Sequence, residues 1–164
     1  MAEAGSTHRD MLDEPGLQAL AAALAPALIP PLVIYLEGEL GAGKTTFVRA
    51  LLHGLGHEGP VKSPTYGLME EYLLDGRSVL HLDLYRLGQP EELEYLGVND
   101  LLDRGTVLLI EWPRQGRGFL PAPDVILLFS HAGEFRELEF QQKSDSGKQL
   151  YELWKEISES PLDK

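Results

Sequence analysis

The sequence predicts an α/β fold: a sheet with parallel strands at its centre, antiparallel additions at its edges and helices on both faces. Three observations carry this. Leu32-Val33-Ile34-Tyr35-Leu36 and Thr106-Val107-Leu108-Leu109-Ile110 are short, apolar, β-rich runs, which is how strands buried on both faces read. The first run leads through a glycine-rich turn into Phe47, Val48, Leu51, Leu52 and Leu55 at helical spacing, so the local order is strand, loop, helix. Asp75-Gly76 and Ala132-Gly133 each stand between two β-rich stretches and mark hairpins.

The elements follow in order. Residues 1–13 are polar and read as a disordered start. Leu17, Leu20, Ala21, Leu24 and Leu28 recur at helical spacing after Pro15, which places a helix over about 15–25; Pro30 and Pro31 stop the pattern. The helix after the glycine turn covers 45–55, with Gly54 and Gly56 as its stop. Residues 57–65 contain Gly59, Pro60 and Pro64 and read as a loop. The first hairpin joins 66–74 to 78–84. Pro90-Glu91-Glu92 opens a helix whose apolar side is Leu93, Leu96, Leu101 and Leu102, with a break near Gly97. The second hairpin joins 125–130 to 135–140. Ser144 is placed as the cap of a last helix bearing Leu150, Tyr151, Trp154 and Ile157 on one side. The expected organisation is one domain over 14–142, preceded by the disordered 1–13. A C-terminal helix and tail, 143–164, pack on the domain or extend it. A length of 164 residues fits one domain better than two.

Composition removes several function classes. The chain has no cysteine, so a disulfide framework, a thiolate nucleophile and a Cys-ligated zinc site are excluded. Fourteen Lys and Arg stand against 26 Asp and Glu, a net charge of −12. Autonomous nucleic-acid binding takes clustered cations, and the sequence has none, so any nucleic acid would be held by a partner. The acidity also serves solubility. The N-terminus lacks a basic start with an apolar core, and Pro26, Pro30 and Pro31 break the longest apolar stretch, leaving no continuous membrane span. A cytoplasmic location is the resulting expectation.

The chemistry is carried by Gly38-Glu39-Leu40-Gly41-Ala42-Gly43-Lys44-Thr45, which fits G-x-x-x-x-G-K-[ST]. Its glycines let successive N–H groups curl around a phosphate, and the helix starting near Lys44 aims its positive end at the same place. Lys44 reaches the β- and γ-phosphates, and the Thr45 hydroxyl ligates Mg²⁺. With an apolar strand before it and an amphipathic helix after it, this is a P-loop NTPase-like arrangement. Such a loop needs a further acid at the end of a neighbouring strand. Two residues qualify: Asp83, closing Val79-Leu80-His81-Leu82-Asp83, and Glu111, directly after the 106–110 run. The carboxyl ends of central strands are where ligands collect in open α/β sheets.

Other residues divide between chemistry and packing. Thr65, in Ser63-Pro64-Thr65-Tyr66, is a switch-loop hydroxyl or an ordinary loop threonine. Trp112 lies beside the bound base or packs at a strand rim. Arg86, Arg114 and Arg117 neutralise phosphate charge or are simply solvated. His81 reads as a packed, hydrogen-bonded histidine rather than a ligand. Guanine-specific P-loop proteins carry an N/T-K-x-D segment; Asn99-Asp100 lacks the lysine, so the expected nucleotide is ATP.

The run 36–47, which includes Thr46, followed by Ser63-Pro64-Thr65-Tyr66, His81-Leu82-Asp83-Leu84-Tyr85-Arg86 and Ile110-Glu111-Trp112-Pro113, resembles the TsaE (YjeE) family over roughly residues 15–142. That resemblance implies an ATPase of tRNA threonylcarbamoyladenosine (t6A) synthesis, acting with TsaD and TsaB and meeting tRNA only through them. It further implies that Thr45 and Glu111 ligate Mg²⁺, that Asp83 is a metal-site or water-orienting acid, and that Thr65 belongs to a switch-like loop. Two features depart from the family pattern. Arg114-Gln115-Gly116-Arg117 stands where acidic residues are expected, and the helix after Ser144 lies outside the match. Arg114 and Arg117 keep a small-molecule P-loop kinase as an alternative, and a nucleotide-gated module without hydrolysis is the third reading.

Overall fold

A computed structural model describes residues 5–61, 64 and 68–159. Seven strands form one sheet: β1 (Thr7–Leu12), β2 (Leu32–Gly38), β3 (Met69–Leu74), β4 (Arg77–Asp83), β5 (Thr106–Glu111), β6 (Val125–Ala132) and β7 (Phe135–Gln142). Their spatial order is β1-β7-β6-β2-β5-β4-β3. The four inner strands β6, β2, β5 and β4 run parallel, while β3, β7 and β1 add antiparallel pairs. The expected α/β P-loop-like architecture is therefore present.

Alternation along the strands sorts the core into two layers. Ile34, Leu36, Val107, Leu109, Leu127 and Phe129 meet α1 (Glu14–Leu24), α2 (Lys44–Gly54) and α5 (Lys148–Ser158) on one face. Val33, Leu108, Ile110, Leu80 and Leu82 meet α3 (Glu92–Leu96) and α4 (Val98–Asp103) on the other. Every residue of β5 is buried, as an inner parallel strand requires. Among the described residues, no helix is long and apolar enough to cross a membrane.

Three expectations are corrected. Residues 7–12, read as disordered, form the edge strand β1 in an unbroken register with β7. Such a strand draws on main-chain pairing and on Arg9–Glu139 at 2.7 Å, neither of which leaves an apolar signal. Of the two glycines expected to stop α2, Gly56 does so with φ +104° just past the helix end, whereas Gly54 is the last helical residue. A Cβ there would lie 2.9 Å from the Ala22 carbonyl oxygen and from the Ala25 Cβ, so the missing side chain lets α1 and α2 approach. Ser144 does not cap the last helix. Its hydroxyl donates to Asp124 Oδ1 at 2.5 Å, a charged acceptor that outcompetes a backbone cap, and α5 starts only at Lys148. Among the described residues the first strand of the first hairpin runs from Met69; Tyr66, where it is expected to begin, lies outside them.

The last helix belongs to the main core. Trp154 is fully buried between Phe140, 4.8 Å away edge-on, and Phe47, 6.3 Å away in a stack. Its Nε1 donates to Asp10 Oδ2 at 2.6 Å, and the Ser158 hydroxyl donates to the same oxygen at 2.7 Å. The two ends of the chain thus close one edge of the sheet together.

Candidate functional site

The site is built at the carboxyl ends of β2, β5 and β4. The β2 strand ends at Gly38, the loop covers 39–43, and α2 begins at Lys44. Gly38 has φ +149°, and a Cβ on it would fall 2.4 Å from the Phe129 carbonyl oxygen of β6. Only glycine tolerates that approach, so this motif position is required by packing as well as by loop shape. Gly41 and Gly43 also have positive φ. Ala42 is buried, Leu40 is exposed, and the Ala42 amide donates to the Glu39 carbonyl at 3.1 Å. The open start of α2 and the loop amides are a donor-rich concavity of the kind that binds anions.

Lys44 is 5% exposed. Its Nζ donates to the Gly38 carbonyl and, at 3.3 Å, to that of Glu39. The Trp112 ring centroid is 4.0 Å from the ammonium, a cation–π contact. Burial pulls the Lys44 pKa down, and the carboxylates of Glu111 and Asp83 pull it back up.

The acids arrive by register. Asp83 pairs with Glu111 across β4 and β5, and alternation turns Val79, His81 and Asp83 to the same sheet face as Val107, Leu109 and Glu111, the face on which α2 packs. Glu111 is 2% exposed. The Thr45 hydroxyl lies 3.3 Å from both of its carboxylate oxygens, and His81 Nε2 lies 2.6 Å from Oε2. Asp83 Oδ1 accepts from the Tyr85 amide at 3.1 Å. Burial raises the Asp83 pKa; the Tyr85 amide opposes this, Glu111 adds to it, and His81 and Lys44 oppose it.

These groups line a cleft of about 440 Å³. Lys44, Thr45, Asp83, Glu111 and Trp112 are in its wall together with Thr46, Leu40, Gly41 and Gly43. The structure thus brings together Leu40, Gly41, Gly43, Lys44, Thr45, Thr46 and both candidate acids, while Gly38 and Glu39 line an adjoining groove with Trp112 and Arg114. Thr65 lies outside the described residues, as do Ser63 and Tyr66. Trp112 takes a left-handed backbone, φ +58°, unusual for a bulky residue, and packs against Lys44 and Tyr85. Arg114 instead pairs with Glu37 at 3.0 Å and lines a separate groove with Arg117. Sequence reasoning missed Glu14, Leu17, Glu134 and Arg136, which also line the cleft. They come from the start of α1, which packs on α2, and from the β6–β7 hairpin, which the strand order places beside the P-loop.

The donor set suits one kind of cation. Among the described residues, no group of three or more His, Asp or Glu side chains is arranged to hold a metal. Thr45 and Glu111 offer hard oxygen donors beside an anion-binding loop. Mg²⁺ fits such a place, because it takes one or two carboxylates, keeps several waters and relies on substrate phosphates for the rest.

The model of the family described as "Threonylcarbamoyl adenosine biosynthesis protein TsaE" matches residues 11–143. The chain belongs to the TsaE family. The matched span of this TsaE-family chain contains the whole lining of the cleft, from Glu14 to Arg136; α5 lies beyond it. The tRNA threonylcarbamoyladenosine biosynthesis protein TsaE of Haemophilus influenzae is 44% identical over 119 residues, 73% of this chain and 75% of that protein. The Bacillus subtilis protein of the same name is 36% identical over 124 residues, covering 75% and 77%. The crystal structure of Bacillus subtilis YdiB superposes with a TM-score of 0.78 at 27% identity, covering 96% of this chain and 98% of YdiB. TsaE-family proteins function in t6A biosynthesis.

Proposed function

We propose that this chain binds ATP with Mg²⁺ and hydrolyses it to support a TsaD–TsaB complex that places threonylcarbamoyl on tRNA adenosine. The observation that carries the reading is the Thr45 hydroxyl 3.3 Å from both oxygens of buried Glu111, beside the P-loop lysine. A hydroxyl and a carboxylate held at one point, with an ammonium and loop amides next to them, match what a triphosphate and its cation require. The family's place in t6A biosynthesis supports the biological half.

In this reading the loop amides and Lys44 Nζ hold the β- and γ-phosphates. Thr45 and Glu111 hold Mg²⁺, which neutralises charge on the transferring phosphoryl group when bound. Asp83, at the open side of the same face, accepts a hydrogen bond from the attacking water and orients it. The wall formed by Glu14, Leu17, Glu134 and Arg136 is the part of the cleft left for the nucleoside. Catalysis is then positioning and electrostatics rather than covalent chemistry. The net charge of −12 agrees with tRNA being held by the partners, in the cytoplasm. The kinase alternative draws no support from the cleft wall, which does not include Arg114; that guanidinium pairs with Glu37.

Phosphate release from Mg-ATP tests this, first with the protein alone and then with TsaD and TsaB. Slow release that rises with the partners is expected. Flat release despite tight ATP binding removes the hydrolytic role, and a phosphorylated small molecule in a metabolite mixture establishes the kinase instead. Lys44→Ala should abolish tight nucleotide binding, while Glu111→Ala should keep much of the binding and lose turnover. Unchanged hydrolysis in the latter moves the metal-directed role to Asp83.

A further inference from the structure

We propose that His81 is the positioning residue that orients Glu111 for its part in the cleft. The inference rests on the reading of Glu111 as the acid that meets Mg²⁺, and it deepens that reading. His81 sits mid-strand in β4, flanked by Leu80 and Leu82, and is 0% exposed. Leu80 and Leu82 face the other side of the sheet, so His81 shares its face with Val79, Asp83, Leu109 and Glu111. Its Nε2 is 2.6 Å from Glu111 Oε2, and Nδ1 has no hydrogen-bond partner among the described residues. The ring's polar chemistry is therefore spent on one oxygen of one carboxylate.

The direction of that bond follows from the acceptor. An ionised carboxylate only accepts, so Nε2 carries the proton. Register explains why the contact is diagonal. His81 stands opposite Leu109, one same-face step back from the Asp83–Glu111 pair. Glu111 turns Oε2 back along the strands to His81. Held there, the carboxylate is restrained about its last bond, with both oxygens 3.3 Å from the Thr45 hydroxyl at the cleft wall. Without His81, the same carboxylate would be buried with only a long hydroxyl contact and free to swing. Outer partners of metal-directed carboxylates act in this way, and losing one typically costs about 10–100-fold in metal affinity or activity.

The test compares His81→Leu, which fills the space without a donor, with His81→Gln, which restores an N–H at similar reach. Binding of a fluorescent ATP analogue is titrated with Mg²⁺, and kcat and KM for ATP are measured with the partners present. For His81→Leu, the Mg²⁺ half-saturation should rise about tenfold or more and kcat should fall about 10–100-fold. KM should change little, and Mg²⁺-free nucleotide binding should stay within about twofold. His81→Gln should recover most of both losses. A merely structural histidine would lower the melting temperature without moving the Mg²⁺ response or obeying the Gln rescue. A folded Leu variant with the parent's Mg²⁺ response overturns the inference, as does a Gln variant as impaired as the Leu one. A parent whose nucleotide binding ignores Mg²⁺ overturns the Mg²⁺ reading of the site and this inference with it. Should the Leu variant fail to fold, the Gln variant and long-range ¹H–¹⁵N spectra of the parent decide. A His81 Nε2–H signal that moves in Glu111→Gln supports the pairing, and a ring not protonated at Nε2 refutes it.

Discussion

Asp83 and Glu111 stand side by side in the β4–β5 register, yet their surroundings separate them. Glu111 has the Thr45 hydroxyl and His81 as donors, while Asp83 has one backbone amide. Burial, reinforced by Glu111, holds the Asp83 carboxyl above its ordinary pKa against the pull of the Tyr85 amide. A raised carboxyl pKa means that the folded state resists ionisation more than the unfolded chain. The associated stability is fully present below the ordinary carboxylate pKa, about 4, and is lost as pH rises through the folded value. Asp83→Asn removes that loss. In EDTA, thermal melts should show Asp83→Asn more stable than the parent at pH 7, with the advantage vanishing toward pH 3; a less stable variant at pH 7 contradicts the account. The P-loop residues and both acids were legible in the sequence because a glycine loop is contiguous and strand ends follow apolar runs. The His81–Glu111 contact was not, since it depends on which residue of β4 faces which residue of β5. His81 was read correctly as packed and hydrogen-bonded, without its partner.

At the scale of elements, the inner strands and α2 were legible because burial on both faces and a helical period leave strong apolar patterns. The hairpins were legible from their Gly-containing turns. Strand β1 was not: its Thr7-His8-Arg9-Asp10 start is polar, and its order comes from the ladder with β7 and from α5 packed across it. Asp10 is the joint, taking hydrogen bonds from both Trp154 and Ser158. Asp10→Ala leaves the buried Trp154 N–H without its acceptor, a loss of about 1–3 kcal/mol. For a domain of this size that lowers the melting temperature by roughly 2–10 °C. ATP affinity should be unchanged, because the joint lies outside the cleft wall. A loss of affinity without a loss of stability would show that β1 reaches the site by another route.

For the whole molecule, the sheet order explains both what the sequence could show and what it could not. Class and layers follow from patterns within single elements, whereas the placing of Arg136 and Glu134 beside the P-loop follows from β6 pairing with β2. The net charge of −12 acts at this scale as well. Gel retardation of tRNA by the protein alone should show no complex at about 10 µM and ordinary salt, because non-specific binding of nucleic acid is built from released counterions. A retarded band that weakens with added salt would mean that the chain itself carries a nucleic-acid surface. The pairing of β1 with β7 joins two segments that the other five strands separate in sequence. During synthesis, β1 leaves the ribosome before the other six described strands and gains its partner only when β7, the last of them, has followed. The P-loop strand, β5 and β6 can assemble while residues 7–12 still wait for 135–142 to emerge. The nascent chain therefore carries an open strand until β7 has emerged, and that interval is where a chaperone would find it.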